Sequence, residues 1–383
     1  MTKKRVAATL APVPLRRTLW TGIQFVASLS VVAFLVAFLR IQNFSPAPPR
    51  LMHLRFRDPV SFSGEPKIAF LFLSRAGLPL DFVWHQFFKN ARAGNFSIYV
   101  HSKPAFKLDK STTMSSFFYD RQLEDSVQVD WGEASMIEAE RLLLKAALKD
   151  PANQRFVLVS DSCIPLYNFD YVYNYLTSSP KSFVDSFLDK KECRYNEKMS
   201  PFIPKDKWRK GSQWIILIRR HAEVVVDDDV IFPVFKKHCK RRLAKNLDEE
   251  HIIKPADKKQ RSCIPDEHYL PTLLSMGELD DQLERRTLTY TLWNSSNNAT
   301  DKQSWHPVTF QYGNASPKEI NKIKNIKHVY YDTDSRTEWC QSNGTSVPCF
   351  LFARKFSRGA GMRLLSEGFF GPFEPSLLLP ESS

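Results

Sequence analysis

Residues 155–165 read Arg-Phe-Val-Leu-Val-Ser-Asp-Ser-Cys-Ile-Pro, an apolar run that ends in a polar turn. The apolar part has the length of a buried strand, and Pro165 closes the turn that follows. Residues 133–148 upstream and residues 169–176 downstream have the apolar spacing of helices. A buried strand between two helices is typical of a parallel sheet covered on both faces.

The same alternation extends towards both ends of this region. We predict strands at residues 68–73 and 96–100, a helix at 80–91 between them, and an extended segment at 182–187. A domain of about 300 residues is long enough to bury a sizeable core. The sequence therefore predicts one α/β domain over residues 67–383, with a mostly parallel central sheet.

An uncharged stretch at residues 19–39 lies close to the N-terminus. As a helix it would be about 31 Å long, which matches the ~30 Å hydrocarbon core of a bilayer. Its nearest basic residues are denser on the N-terminal side, which favours a cytoplasmic N-terminus. We expect an uncleaved signal anchor, with a cytoplasmic tail at 1–18 and a Pro-rich stem at 40–66. The alternative is a cleaved signal peptide, but the stretch is long for one and no clean Ala-x-Ala site follows it.

The net charge of +13 would suit a nucleic-acid partner, but its distribution does not. Residues 1–50 contribute +7 and residues 235–261 contribute +6, so the rest of the chain is close to neutral. We expect no nucleic-acid partner. The basic run at 236–242 is interpreted as a solvated helix face, or as a surface that meets anionic glycans or lipid headgroups.

Cysteines and glycosylation motifs agree with an oxidising, lumenal environment. All six cysteines follow the predicted anchor, and an even number permits up to three disulfides. Cys340 and Cys349 are separated by a short segment with Asn-Gly in it, which predicts a disulfide loop. The predicted N-glycosylation acceptors are Asn95, Asn294, Asn298, Asn314 and Asn343.

Several common catalytic motifs are missing from the sequence. No Gly-x-Gly-x-x-Gly follows the first strand, and neither a Walker-type motif nor a Gly-x-Ser-x-Gly elbow occurs. This argues against dinucleotide-binding, P-loop and α/β-hydrolase functions. Since an open α/β sheet binds its ligand at the carboxyl ends of its strands, the expected site comprises residues 74–77, 101–103 and 160–162.

Seven segments, in order, resemble the core-2/I-branching β-1,6-N-acetylglucosaminyltransferase family, and specifically its plant-type branch (glycosyltransferase family 14). The more specific are Ser160-Asp-Ser-Cys-Ile-Pro and Pro265-Asp-Glu-His; the others begin at Ile68, Asn95, Trp131, Trp208 and Phe352. The resemblance covers about residues 67–356. It implies a type II Golgi membrane protein with a GT-A-like fold, which transfers N-acetylglucosamine or another sugar from a UDP-sugar to a glycan or glycoprotein acceptor.

The resemblance also implies a catalytic base. Glu267 matches the family's base, which takes the proton of the acceptor hydroxyl as that hydroxyl attacks the anomeric carbon opposite the leaving UDP. Its neighbour Asp266 is expected to contact substrate. The structural alternative is an ordinary helix start, because Asp-Glu after Pro265 suits the first turn of a helix.

The family uses no metal, and basic side chains neutralise the leaving diphosphate instead. Lys355 matches the family's lysine, and Arg354 and Arg358 are neighbours that would assist. The family's partner arginine lies between two cysteines spaced like those at 340 and 349, and this chain has none there. Arg336 and Arg358 are the candidate replacements.

Trp214 and Trp293 are candidates for stacking on a sugar ring, with core packing as the alternative. Two acidic clusters fit the bare pattern of a metal site, residues 227–229 and residues 332–334. We interpret the first as a solvated helix end and the second as a polar loop, so that no metal or other cofactor is expected.

Two further hypotheses for the function stay open at this point. The missing arginine between the two cysteines leaves room for a catalytically inactive glycan-binding or scaffold protein on the same fold. The acidic residues 227–229 leave room for a metal-dependent transferase.

Overall fold

The computed structural model describes residues 20, 24–36, 62–190, 193–240, 262–293, 306–342 and 344–372. The chain divides into two compact units, residues 1–52 and residues 53–383. In the first unit, residues 24–36 are helical. None of the helices in the described part of the chain combines the length and the apolar character needed to cross a membrane. Parts of the predicted anchor at 19–39 lie outside the described residues, and the anchor stays a prediction.

The second unit alternates strands and helices along its first half. The strands are β1 (Lys67–Leu73), β2 (Phe96–His101), β3 (Asn153–Ser160), β4 (Ile164–Pro165), β5 (Ser182–Phe183), β6 (Ile216–Ile218), β7 (Leu283–Glu284), β8 (Thr289–Thr291), β9 (His328–Tyr331), β10 (Arg336–Trp339), β11 (Gln341–Ser342), β12 (Thr345–Ser346) and β13 (Phe352–Arg354). The α-helices of this unit are α1 (Asp81–Phe88), α2 (Ser135–Ala147), α3 (Phe169–Ser178), α4 (Arg219–Asp227), α5 (Ile231–His238), α6 (Pro265–Met276), α7 (Pro317–Lys324) and α8 (Arg358–Ser366).

The central sheet has the strand order β2-β1-β3-β6-β5-β7. β1 pairs in parallel with β2 and β3, and β5 pairs in parallel with β7. β6 runs antiparallel to both of its neighbours. The prediction of an α/β fold with a mostly parallel central sheet is therefore confirmed, with β6 as the exception. A second, smaller sheet has the order β4-β13-β8.

After Lys67, β1 is apolar to its end because both faces of the sheet are covered. Phe70 and Phe72 lie on one face, where their rings contact Trp84 of α1 at centroid distances of 6.0 and 4.9 Å. Ala69 and Leu71 alternate with them and are also buried. α2 packs on β1, β2 and β3. This packing holds the carboxyl ends of the three strands at one edge of the sheet.

The ends of α6 and α8 are fixed locally by their sequence. Pro265 is the first residue of α6, where the missing N–H costs no helical hydrogen bond. The Ser357 hydroxyl accepts from the Ala360 N–H and caps α8. Gly361 lets α8 pack closely, because a Cβ there would lie 2.7 Å from the Leu80 Cδ2 and would force a neighbour to shift. The close packing of α8 in turn holds the preceding strand β13.

The predicted disulfide between Cys340 and Cys349 is confirmed. A second disulfide, Cys239–Cys263, joins the end of α5 to the residues before α6. The remaining cysteines are free: Cys163 is buried and Cys193 is exposed. The six cysteines therefore form two disulfides and not three.

Candidate active site

A cleft of about 1820 Å³ opens at the carboxyl ends of β1, β2 and β3. This is the edge at which an open α/β sheet is expected to bind its ligand. Ser74, His101 and Ser160 line the cleft where these strands end. Glu267 and Asp266 of α6 also line it, as do Arg354 and Lys355 at the end of β13. The fold thus brings the predicted base and the predicted diphosphate contacts to the same cavity.

Glu267 lies in the first turn of α6 and is held by two cations. Its Oε2 is 2.8 Å from the Arg194 Nη1 and 3.6 Å from the Lys210 Nζ. Its backbone carbonyl accepts from the Gly211 N–H at 2.8 Å. The side chain is 24% exposed, so the carboxylate reaches the cleft without being fully solvated. Position and accessibility agree with the predicted role of a base.

Gly211 explains how the segment before β6 approaches α6 so closely. A Cβ at this position would lie 2.1 Å from the Asp185 carbonyl oxygen, a distance that no side chain tolerates. The glycine lets the chain pass between Asp185 and Glu267, and its neighbour Lys210 then reaches the Glu267 carboxylate. The local sequence Lys-Gly-Ser-Gln-Trp is therefore part of the support of the base.

Asp266 and Glu140 form a pair of buried acids beside Glu267. Burial, followed by the Glu267 charge, raises the pKa of Asp266 to about 7, and its Oδ1 is buried without a hydrogen-bond partner. Glu140 of α2 accepts from the Gln213 Nε2 at 2.7 Å. Burial raises the pKa of Glu140 well above its usual value. Asp266 therefore offers the cleft a carboxyl group that titrates near neutral pH.

Arg354 and Lys355 lie at the cleft, as predicted from the resemblance. Burial lowers the pKa of Lys355, and the nearby charges of Arg354 and Arg75 lower it further. The Arg354 guanidinium lies 4.3 Å from the ring centroid of Trp214. Trp214 itself is 6% exposed. One face of this ring is thus covered by Arg354, and the residue supports that cation rather than offering an open platform to a sugar.

Trp214 and Trp293 both line the cleft, but Trp293 is 51% exposed. Trp131 and Tyr330 also line the cleft, with 40% and 57% of their surface exposed. Aromatic faces of this kind bury the apolar face of a hexose well. A sugar contact for Trp293 agrees with the geometry and stays a prediction.

The two candidate replacements for the missing arginine do not line the cleft. Arg336 is ion-paired with Glu338 and with Asp334, and its guanidinium lies 4.3 Å from the Tyr331 ring. Arg358 is the first residue of α8, and its guanidinium lies 3.8 Å from the Asp81 carboxylate. Each is held by a carboxylate, and their role as the second diphosphate contact stays a prediction.

In the acidic cluster at residues 227–229, interpreted from the sequence as a solvated helix end, the middle residue is a structural cap, whereas Asp229 is exposed. Asp228 is 4% exposed. Its carboxylate accepts from the N–H groups of Val230, Ile231 and Phe232, and from the Tyr269 hydroxyl at 2.8 Å. These bonds fix the start of α5. The second cluster is likewise engaged, since Asp334 lies 3.3 Å from Arg285.

The described residues include no group of three or more His, Cys, Asp or Glu side chains suited to hold a metal ion. Of the predicted glycosylation acceptors, Asn314 is exposed. Asn95 is 7% exposed, and a glycan on this buried side chain would not fit the folded domain. Asn294, Asn298 and Asn343 lie outside the described residues.

Arg194, Lys210 and Glu140 were not predicted from the sequence. Arg194 and Lys210 belong to the irregular segment between β5 and β6, and nothing in their local sequence indicates a contact with Glu267. Glu140 does carry a signal. It lies three residues after Ile137 and four before Leu144, on the apolar face of α2. A carboxyl buried on such a face must be hydrogen-bonded, paired or protonated, because burying a bare charge is costly.

Three comparisons with known proteins bear on this site. The family model for Core-2/I-Branching enzyme matches residues 68–324. Glycosyltransferase BC10 of Oryza sativa subsp. japonica is 55% identical over 305 residues, which is 79% of this chain and 76% of that protein. Among solved structures, the galactosyltransferase LgtC with donor and acceptor sugar analogues covers 75% of this chain and 86% of its own, at 7% identity and a TM-score of 0.34. That score is too low to establish a shared fold, so the sequence matches carry the assignment.

Proposed function

Since this chain belongs to the core-2/I-branching enzyme family, we propose that it is a type II Golgi membrane glycosyltransferase. Family membership makes it a glycosyltransferase. The finer proposal is that it transfers N-acetylglucosamine, or another sugar, from a UDP-sugar to a glycan or glycoprotein acceptor, with inversion and without a metal ion. Residues 19–39 would anchor it in the membrane, and no nucleic-acid partner is proposed.

The observation that carries the proposal is the composition of one cleft. Glu267 lines it, held by Arg194 and Lys210, and the cations Arg354 and Lys355 line it as well. Inverting transfer needs a carboxylate that takes a proton and, at the opposite end of the reacting bond, positive charge for the leaving group. Both kinds of group are present in the same cavity.

The proton transfer is assigned to one oxygen of Glu267. Arg194 and Lys210 both contact Oε2, so we assign Oε1 as the atom that takes the acceptor proton. The acceptor oxygen then bonds to the anomeric carbon as the bond from that carbon to the UDP oxygen breaks. The two electrons of the breaking bond stay on the diphosphate, where Lys355 and Arg354 neutralise the developing charge.

Two further residues would contact the sugars. Asp266, with its pKa raised to about 7 by burial and by Glu267, would hold a proton in mildly acidic conditions and donate a hydrogen bond to substrate. Trp293 would offer its exposed ring to an apolar sugar face.

The test is a donor screen with the purified full-length chain. We expect hydrolysis of one UDP-sugar out of a panel, and transfer to a glycan acceptor. Glu267→Gln should lower turnover by roughly 10²–10⁴-fold, as for the loss of a general base. The matched control is Glu278→Gln, since Glu278 lies just beyond the end of the same helix with its side chain 68% exposed.

Each negative result has a separate meaning. If the wild-type chain consumes no donor but binds glycans, the inactive scaffold hypothesis is correct and the proposed function is wrong. If transfer occurs and Glu267→Gln stays within a few-fold of wild type, Glu267 is not the base.

A further inference from the structure

In the related family, an arginine between two cysteines is the second cationic contact of the donor diphosphate. The loop between Cys340 and Cys349 contains no arginine, so this loop does not supply that contact here. Arg336 and Arg358 are held by carboxylates and do not line the cleft. The cations that do line the cleft fall into two groups. Arg194 and Lys210 contact the base, whereas Arg75, Lys103, Arg354 and Lys355 line the strand ends.

Arg75 is brought to the cleft by the register of β1. Leu73, the last residue of β1, pairs with Ser160, the last residue of β3. The chain then turns, and the Ser74 hydroxyl donates to the carbonyls of Ala76 and Gly77, which holds the turn. Arg75 is thus the second residue after β1, at the same end of the sheet as Asp161, the residue that follows β3. The Asp161 carboxylate accepts from the Arg75 backbone N–H.

Lys355 approaches Asp161 from the second sheet. β13 pairs antiparallel with β4, with Ala353 opposite Ile164. The pairing continues past the strand, since the Phe356 N–H donates to the Ser162 carbonyl at 2.9 Å. Residues 354 and 355 thus run alongside residues 161–163, and Asp161 lies between cations from two different sheets.

The charges at this point do not cancel. Burial raises the pKa of Asp161, and the charges of Arg75, Arg354 and Lys355 oppose that rise. Asp161 is faced by three cations, so positive charge is in excess at the strand ends, although the Asp266 charge also acts on Arg354. A UDP-sugar carries two negative charges on its diphosphate, and the leaving UDP carries more. Arg75 is exposed, so its guanidinium is accessible to a ligand in the cleft.

We propose that Arg75 is the second cationic contact of the donor diphosphate, acting with Lys355 from the opposite side of Asp161. This rests on the proposed function, since it assumes that the cleft takes a nucleotide sugar. Arginine suits this role, because its planar fork binds phosphate oxygens in pairs.

The test compares the binding of UDP and of uridine to the full-length chain, by titration calorimetry for UDP and by ligand-observed NMR for uridine. We expect Arg75→Gln to weaken UDP binding by roughly 10- to 100-fold, as for a charged hydrogen bond to phosphate, and to leave uridine binding unchanged. Arg75→Lys keeps the charge and should retain part of the affinity. The matched control is Arg121→Gln, an exposed arginine after β2 that does not line the cleft.

Failure of this inference is distinguishable from failure of the proposed function. If wild type binds no UDP, both are wrong. If wild type binds UDP and Lys355→Gln weakens it, but Arg75→Gln matches the Arg121→Gln control, only the role of Arg75 is wrong. Equal loss of UDP and uridine binding in Arg75→Gln would mean a distorted pocket and would also overturn the assignment.

Discussion

Asp266 gives the candidate site a measurable effect on stability. In the unfolded chain its carboxyl has an ordinary pKa near 3.8, whereas in the folded chain burial and the Glu267 charge raise the pKa to about 7. Between these values the folded chain retains a proton that the unfolded chain has lost. The folded state is therefore destabilised as the pH rises from about 4 to about 7, and the full penalty is present above that.

The size of the penalty follows from the shift. A difference of about three pKa units corresponds to about 4 kcal/mol at pH 8, and to about 1 kcal/mol at pH 4.5, at 1.36 kcal/mol per unit. Asp266→Asn removes the titration. Between pH 4.5 and pH 8 the variant should gain about 3 kcal/mol relative to wild type. For a domain of this size that is roughly 5 °C in Tm.

The assay is thermal unfolding of both full-length proteins at the two pH values. At each pH the Tm of wild type is subtracted from the Tm of Asp266→Asn, and the two differences are compared. Effects of the amide that do not depend on pH cancel in this comparison. Asp170→Asn, at an exposed position on α3, reports the general effect of such a substitution. A Tm difference for Asp266→Asn that is the same at both pH values, or that favours wild type at pH 8, would refute the reasoning.

Three further predictions concern the diphosphate site, the topology and the disulfide loop. EDTA should leave transfer intact and Lys355→Ala should cost about 1.5–3 kcal/mol of UDP binding; full dependence on Mn²⁺, with Asp227→Asn mimicking EDTA, would favour the metal-dependent hypothesis. Protease added to intact Golgi vesicles should remove only the short N-terminal tail, and glycosidase should lower the mass of the chain; digestion of the bulk without detergent would mean that the orientation is wrong. Cys340→Ser should lower the free energy of unfolding by about 2–3 kcal/mol, as expected for a short closed loop. Reductant also opens the wild-type disulfide, so a difference in stability that persists in reductant would mean that the lost disulfide is not its cause.

Much of the fold is predictable because its strongest signals are local. Residues 68–73 of β1 and residues 156–159 of β3 are apolar on both faces, and α2 has a clear apolar stripe, so the existence and type of these elements follow from their patterns. β5 lies within the extended segment predicted at 182–187, although it has only two residues. β6 has three residues and is not predictable in this way, because its antiparallel course depends on how the chain returns between β3 and β5, which no local pattern records.

In the candidate site too, some residues can be identified from local sequence and others only from the fold. Glu267 and Lys355 stand in short motifs, so a family resemblance identifies them one by one. The support of Glu267 comes from Arg194 and Lys210, which are 73 and 57 residues away in sequence, and only the fold brings them together. The error at residues 227–229 has the opposite cause. Three adjacent carboxyls look solvated, yet the N–H groups at the start of α5 and the Tyr269 hydroxyl satisfy the middle one.

The cleft joins parts of the chain whose positions are fixed independently. Arg75 and Asp161 depend on the pairing of β1 with β3, whereas Arg354 and Lys355 depend on β13 in the second sheet. The second sheet is tied to the first by β4, which follows β3 after three residues. The short turn at Asp161 therefore sets the spacing between the two groups of cations. The Asp161 carboxyl lies among the like charges of Arg75, Arg354 and Lys355 and offsets part of their mutual repulsion, so an acidic residue at this turn is compatible with the proposed binding of an anionic ligand there.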